Sequence, residues 1–241
     1  MDALIYSAMS GAERSLRAQQ VHANNLANLQ TSGFRADLEL ATSQSVAGFG
    51  YDARHMNQLQ ANAVNTRAGT LAPTGRDLDA AISGEGFFTV AHGNGEAYTR
   101  SGAFALDSSG MLTLNGRAVI GDGGPITLPP ASRIAIGADG TISVQPNGQE
   151  TMQPVDRLKL VKPAANDLTK NEAGLIVGRA GVALPADDTV QVRSGHLESS
   201  NVSAVEEMVA TMTLSRDFEF HMKLFKAADD MAANGNRLLR E

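Results

Sequence analysis

The arrangement of this chain is constrained most by where proline and glycine are withheld. From Leu4 to Leu29 there is no proline and a single glycine, Gly11. Over that stretch Ile5, Met9, Ala12, Leu16, Ala23 and Leu26 recur at alternating steps of four and three, with Gln19 in the remaining place. This spacing predicts an amphipathic helix with a narrow apolar stripe. A helix of about 28 residues at ~1.5 Å per residue would be ~40 Å long.

The other end repeats the pattern. Ser199, Ser200 and Asn201 are good N-cap residues, and Ser203-Ala204-Val205-Glu206 has the form of a capping box. A proline-free run follows to about Leu239, with Glu206 and Glu207 near its start and Arg237 and Arg240 near its end, the charge order that complements a helix dipole. Val205, Met208, Val209 and Met212 form an apolar stripe in its first half, and Leu214, Phe218, Phe225, Ala228, Ala232 and Leu239 continue one. At about 38 residues this helix could reach ~57 Å, more than a compact domain of this size needs.

Between the ends, from about Thr70 to Gln191, short β-prone runs alternate with glycine turns. Phe87-Phe88-Thr89-Val90 leads into Gly93-Asn94-Gly95. Phe104-Ala105-Leu106 and Met111-Leu112-Thr113-Leu114 flank Asp107-Ser108-Ser109-Gly110, and Ile134-Ala135-Ile136 and Thr141-Ile142-Ser143-Val144 flank Gly137-Ala138-Asp139-Gly140. The expected fold class is therefore α+β. Long N- and C-terminal helices pack as a coiled-coil-like layer, with a central, mostly-β domain. The expected division is an N-terminal helix over 1–35, an extended connector over 36–75, the β-rich domain over 76–195 and the C-terminal helix over 196–241. Residues from Pro163 to Pro185 read as a loop-rich return path.

Composition removes several function classes. Twenty basic against 26 acidic side chains leave a net charge of -6, the wrong sign for a chain that neutralises phosphates, so nucleic acid is not an expected partner. No apolar run approaches the ~18 residues of a membrane span. The opening Met1-Asp2-Ala3-Leu4 lacks the basic region and apolar stretch of a cleaved secretory signal. Cysteine is absent, which removes disulfides, thiolate metal sites and thiol nucleophiles together.

Catalysis has little support. His22, His55, His92, His196 and His221 show no metal-ligand spacing. Gly48-Phe49-Gly50-Tyr51-Asp52-Ala53 matches a dinucleotide-binding pattern only on paper, since neither a strand before it nor a helix after it is evident. Asp122 and the pair Asp187-Asp188 lack the alternating oxygen ligands of a calcium loop and read as turn acids. The expectation is no catalytic, metal or cofactor-binding residue, no cofactor and no enzyme.

Asn24, Asn25 and Asn28 are the more informative cluster, because asparagine is a poor helix former and three fall within five residues of a good helix. They read either as solvated amides at a fraying end or as donors and acceptors linking to neighbouring helices and loops, with Asn24 and Asn28 on one face. Gly33 is placed to take a left-handed conformation that closes the helix, with Phe34 folding back on its last turn. The first helix carries few large apolar residues, each worth ~1.5–3 kcal/mol if fully buried. Ordering about thirty residues at ~1–2 kcal/mol each outweighs that, so the ends are expected to gain their order on assembly.

Ala23-Asn24-Asn25-Leu26-Ala27-Asn28-Leu29-Gln30-Thr31-Ser32-Gly33-Phe34-Arg35 resembles the N-terminal signature of the bacterial flagellar axial proteins, the rod and hook family. Leu78 to Val90, with Ala97 to Phe104, resembles that family's central domain, and Ser194 to Val202, with Arg216-Asp217-Phe218-Glu219 and Lys223, its C-terminal region. Met1 to Ala12 is most similar to the proximal-rod branch. Leu29-Gln30 stands where Val-Asn is usual, and Phe87-Phe88 where one aromatic is often Trp.

The resemblance implies a structural subunit of the basal-body proximal rod. The family's terminal helices pack with those of neighbours into a torque-transmitting tube around the export channel, and its β domain faces outward. It implies copies of the chain and other rod proteins as partners, passage through the flagellar type III export apparatus without a cleaved signal, and a place in the periplasm. The residues expected at the assembly interface are Ile5, Met9, Leu16, Asn24, Asn25, Leu26, Asn28, Gly33 and Phe34 from the first end. From the second they are Asn201, Val202, Val205, Met208, Val209, Met212, Phe218, Phe225 and Leu239. A distal-rod or hook-type axial protein, or a secreted β-domain binding protein acting through its loops, are the alternative readings.

Overall fold

A computed structural model describes residues 2–45, 55–93, 95–164, 167–171, 174–179 and 181–238, those at 2–4, 40–45, 55–62 and 236–238 by backbone alone. Leu239 and the Gly48 to Ala53 stretch lie outside the described residues. The fold is α+β, with an N-terminal helix, a central mostly-β region and a C-terminal helix. Two compact units divide the chain: Met1–Ala27, Asp37–Asn62 and Ser203–Glu241 make the first, and Asn28–Ala36 with Ala63–Val202 the second.

In the first unit, helix α1 spans Asp2–Ala27 and helix α2 spans Ala204–Leu238. Ser203 starts α2: its carbonyl accepts the Glu207 N–H at 3.0 Å, and its hydroxyl meets the Glu206 N–H at 3.5 Å. The helices pack antiparallel, since Gly11 of α1 lies against His221 of α2 while His22 and Asn25 meet Glu207. The buried face of α1 consists of Ala8, Gly11, Ala12, Ser15, Ala18 and Asn25, all small or polar. Small side chains let helix backbones approach closely: a Cβ on Gly11 would lie 2.4 Å from the His221 ring. Part of the surface that α1 needs as a partner is thus supplied by α2 of the same chain. The stretch expected as an extended connector contributes strands Asp37–Ser45 and His55–Val64, joined as a two-stranded sheet.

The second unit is built around a five-stranded sheet in the order Leu160–Val161, Phe87–His92, Gly95–Thr99, Ile176–Gly178, Leu168–Lys170. Its second strand, interior to the sheet, opens Phe87-Phe88-Thr89-Val90, buried at all four positions because both faces of the sheet are covered. On one face Phe88 and Val90 join Phe104, Leu112, Val119 and Ile142, with Phe88 edge-on to Phe104 at 5.2 Å. On the other, Phe87 and Tyr98 join Val161, Leu168 and Ile176. The segment read as a loop-rich return supplies two of the five strands. The glycine turns produce the expected hairpins, pairing Ile136 with Ile142 and Ala105 with Thr113. Ala80–Ser83 pairs with Gln191–Ser194, and Leu71–Pro73 with His196–Glu198, so residues far apart in sequence close the unit.

Candidate assembly interface and its buried anchor

On α1 two large members of the expected stripe, Met9 and Leu16, point away from the buried face. Met9 and Leu16 are exposed, Ile5 and Leu26 are half-buried, and Tyr6, which the spacing did not select, is also exposed. On α2, Val205, Met208, Val209 and Met212 stand in water at 72%, 50%, 58% and 65% exposure. These four recur at i, i+3, i+4 and i+7 and so share one face. Phe218 is half-buried and Ala228 fully buried, while Phe225, Phe220, Met222 and Met231 remain exposed. The apolar pattern that predicted the helices thus divides between their inner and outer faces: Leu214, Phe218, Ala228 and Ala232 turn inward on α2, while Met9, Leu16, Val205, Met208, Val209 and Met212 face out.

Asn25 makes long-range links. Its Oδ1 accepts the Asp37 N–H at 2.9 Å, its Nδ2 donates to the Asp37 carbonyl at 3.1 Å, and Nδ2 also reaches Glu207 Oε1 at 3.2 Å. The amide imitates a strand partner for Asp37 while gripping the first turn of α2. Glu207 Oε2 in turn lies 2.5 Å from His22 Nδ1. Asn24 lies on the exposed side of α1. Asn28 lies beyond the helix and accepts the Thr31 hydroxyl at 3.1 Å, which shapes the turn there.

Gly33 adopts φ +69°, but as part of the second unit rather than as the closure of α1, which ends at Ala27. A Cβ there would stand 2.1 Å from the Ser101 nitrogen, so close backbone approach excludes any other residue. Phe34 lies 4.2 Å beneath the Lys170 ammonium instead of folding back on the helix. Asn201 is a staple: its Oδ1 accepts the Ala36 N–H at 2.7 Å, and its Nδ2 donates to the carbonyls of Asn65 and Arg67, both at 3.0 Å. Val202, beside it, is half-buried.

Sequence reasoning did not single out the cluster beneath this staple. Glu198, Arg35 and Arg100 are all buried. Glu198 Oε1 accepts from Arg35 Nη2 and from the Gly69 N–H, both at 2.6 Å, while Oε2 accepts from Arg100 Nη1 at 3.2 Å. Arg100 also donates to the carbonyls of Ile82 and Gly84 and lies 5.6 Å over the Phe87 ring. Burial pulls the Arg100 guanidinium down to about 10; Glu198 opposes the shift and Arg35 adds to it. The available signal was that all three stand inside the quoted family stretches or at their edge.

Three family models match the chain. A flagella basal body rod protein model covers residues 5–35, a flagellar hook protein FlgE/F/G D1 domain model covers 81–144, and a flagellar basal body rod FlgEFG protein C-terminal model covers 193–238. Flagellar basal-body rod protein FlgF of Salmonella typhimurium is 39% identical over 99% of both chains, and that of Escherichia coli K12 is 39% identical over the same shares. The chain belongs to the FlgF family of flagellar basal-body rod proteins. FlgG of Bacillus subtilis, a related rod protein, is 33% identical over 94% of this chain and 95% of its own.

Membership of this rod family makes the chain a structural component of the flagellar basal body rather than an enzyme. Among the described residues, no helix is long and apolar enough to cross a membrane. Each of the three matched rod-family regions contributes one member of the buried cluster, Arg35, Arg100 and Glu198 in turn.

Proposed function

We propose that the chain is a subunit of the proximal rod and assembles helically, with copies of itself and with other rod proteins, through α1 and α2. The observation that carries this reading is the exposed apolar row on both helices, Met9 and Leu16 on the first and Val205, Met208, Val209 and Met212 on the second. Exposed large apolar side chains clustered on one helix face mark interaction sites, and each one moved out of water contributes ~1.5–3 kcal/mol. The row differs from the buried face of α1, so neighbours can dock without unpacking the helix pair.

In the assembled rod, α1 and α2 form a coiled-coil-like layer around the export channel. Contacts between subunits are heterologous, the type that generates open helical filaments. Methionine suits such a surface because its flexible thioether fits the slightly different neighbours that a rod of several proteins presents. The subunit reaches the periplasm through the flagellar type III export apparatus. Many modest contacts spread along two long helices carry torque without one dominant anchor.

The test is complementation of a strain lacking the gene with a Val209→Asp, Met212→Asp double variant. Both side chains face water in the isolated chain, so its melting temperature should stay within about 2 °C of the unaltered protein, as surface changes do. The variant should be missing from purified basal bodies and the cells should not swim. Normal swimming with the variant present in the rod overturns the reading.

A further inference from the structure

We propose that residues 32–36 form a releasable strap, in which Arg35 docks onto an Arg100–Glu198 pair that is complete without it, so that the strap leaves and returns while the rest of its unit stays folded. The inference does not rest on the rod assignment. It begins with the donors around Glu198. When Arg35 is absent, Oε1 keeps the Gly69 N–H at 2.6 Å and Oε2 keeps Arg100 Nη1 at 3.2 Å. Neither carboxylate oxygen is stranded by the departure.

Charge points the same way. Arg100 and Glu198 balance one to one, whereas docking Arg35 seals a second guanidinium from water against the same carboxylate. A buried cluster with one excess charge is disfavoured relative to a balanced pair. The two arginines are also served unequally. Arg100 holds Glu198, two backbone carbonyls and the Phe87 ring. The Arg35 side chain has its Glu198 contact, while its Nε and Nη1 are buried with no hydrogen-bond partner among the described residues, against Nε alone on Arg100.

The rest of the strap is held by hydrogen bonds and belongs to no assigned strand; its Phe34 and Ala36 carbonyls accept the Asn201 and Asn65 N–H groups at 3.3 and 2.9 Å. Gly33 N–H and the Ser32 hydroxyl both donate to the Glu198 carbonyl, at 2.7 and 3.1 Å, and Ala36 N–H donates to Asn201 Oδ1 at 2.7 Å. Lys170 Nζ donates to the Arg35 carbonyl at 2.7 Å. Phe34 is only half-buried, and Ala36 is the strap's one apolar side chain that is fully buried. Segments with few buried apolar contacts open locally at lower cost than a core does.

Native-state hydrogen exchange on the full chain tests this directly. The Gly33 and Ala36 amides should exchange at least about 100-fold faster, after correction for intrinsic rates, than the core amides of Leu112 and Val119. Equal protection at all four sites would overturn the proposal. A second comparison separates a strap from a rivet: Arg35→Met should shift the melting temperature by less than about 3 °C, and Glu198→Gln should lower it by more than about 6 °C, because it strands the buried Arg100 guanidinium, which cannot leave. An Arg35→Met variant as destabilised as Glu198→Gln contradicts the strap. Should Glu198→Gln fail to fold, the exchange comparison on the unaltered chain decides alone.

Discussion

Single residues in this protein act mainly by answering backbone groups. Asn25 supplies both a donor and an acceptor to Asp37 and a further donor to Glu207. Asn25→Ala should destabilise the helical unit by about 2 kcal/mol, because the groups it leaves behind are sheltered from water; chemical denaturation followed by far-ultraviolet circular dichroism checks this. Three aspartates do comparable work in exposed turns. The carboxyls of Asp107, Asp139 and Asp187 lie below the usual carboxylate range, first because each accepts a hydroxyl hydrogen bond from the Ser109, Thr141 or Thr189 side chain two residues on. A folded-state value below the unfolded one contributes stability that is present above about pH 4 and lost as pH falls through the folded values. Replacing all three by Asn should therefore shrink the loss of thermal stability between pH 5 and pH 3. At this scale the sequence was partly legible. The turn acids and the unusual asparagines could be read locally, whereas the partnership of Arg35, Arg100 and Glu198 could not, because 163 residues separate the first from the last.

At the scale of elements, periodicity located both helices, and the alternation of apolar runs with Asp-containing glycine turns located the central hairpins. What periodicity did not reveal on α1 was a second face. The reading assigned Met9 and Leu16 to contacts with neighbours, and within the chain they lie outside, while Ala8, Gly11, Ser15 and Ala18 lie inside. A chain that also packs on neighbours needs two faces, and small residues suit the one where its own helices come closest. Gly11 gives a quantitative check. A Cβ there meets the end of the His221 side chain at 2.4–2.7 Å, an obstacle that can be removed. Gly11→Ala should stabilise the protein by about 0.5–1 kcal/mol in a His221→Ala background, through helix propensity alone. It should gain clearly less with His221 in place, and that coupling is measurable by a double-mutant cycle. Sheet order was not legible either, because pairing Ile176–Gly178 with Gly95–Thr99 depends on contacts across some eighty residues that no local pattern encodes.

At the scale of the whole molecule, the family resemblance carried the function, and the fold gives that function a physical form. A β-rich unit with two well-covered core faces accompanies a helical unit whose outer apolar row is exposed among the described residues. The account stands or falls on whether that row is buried in the rod. The absence of cysteine allows one clean measurement, since a single Val209→Cys substitution provides the chain's sole thiol. Maleimide labelling rates would be compared in purified basal bodies and in the same rods after dissociation. If Val209 faces a neighbour, labelling in the intact rod should be at least about tenfold slower, because a packed interface core excludes solvent. Equal rates in intact and dissociated rods would mean that the exposed row does not mediate assembly.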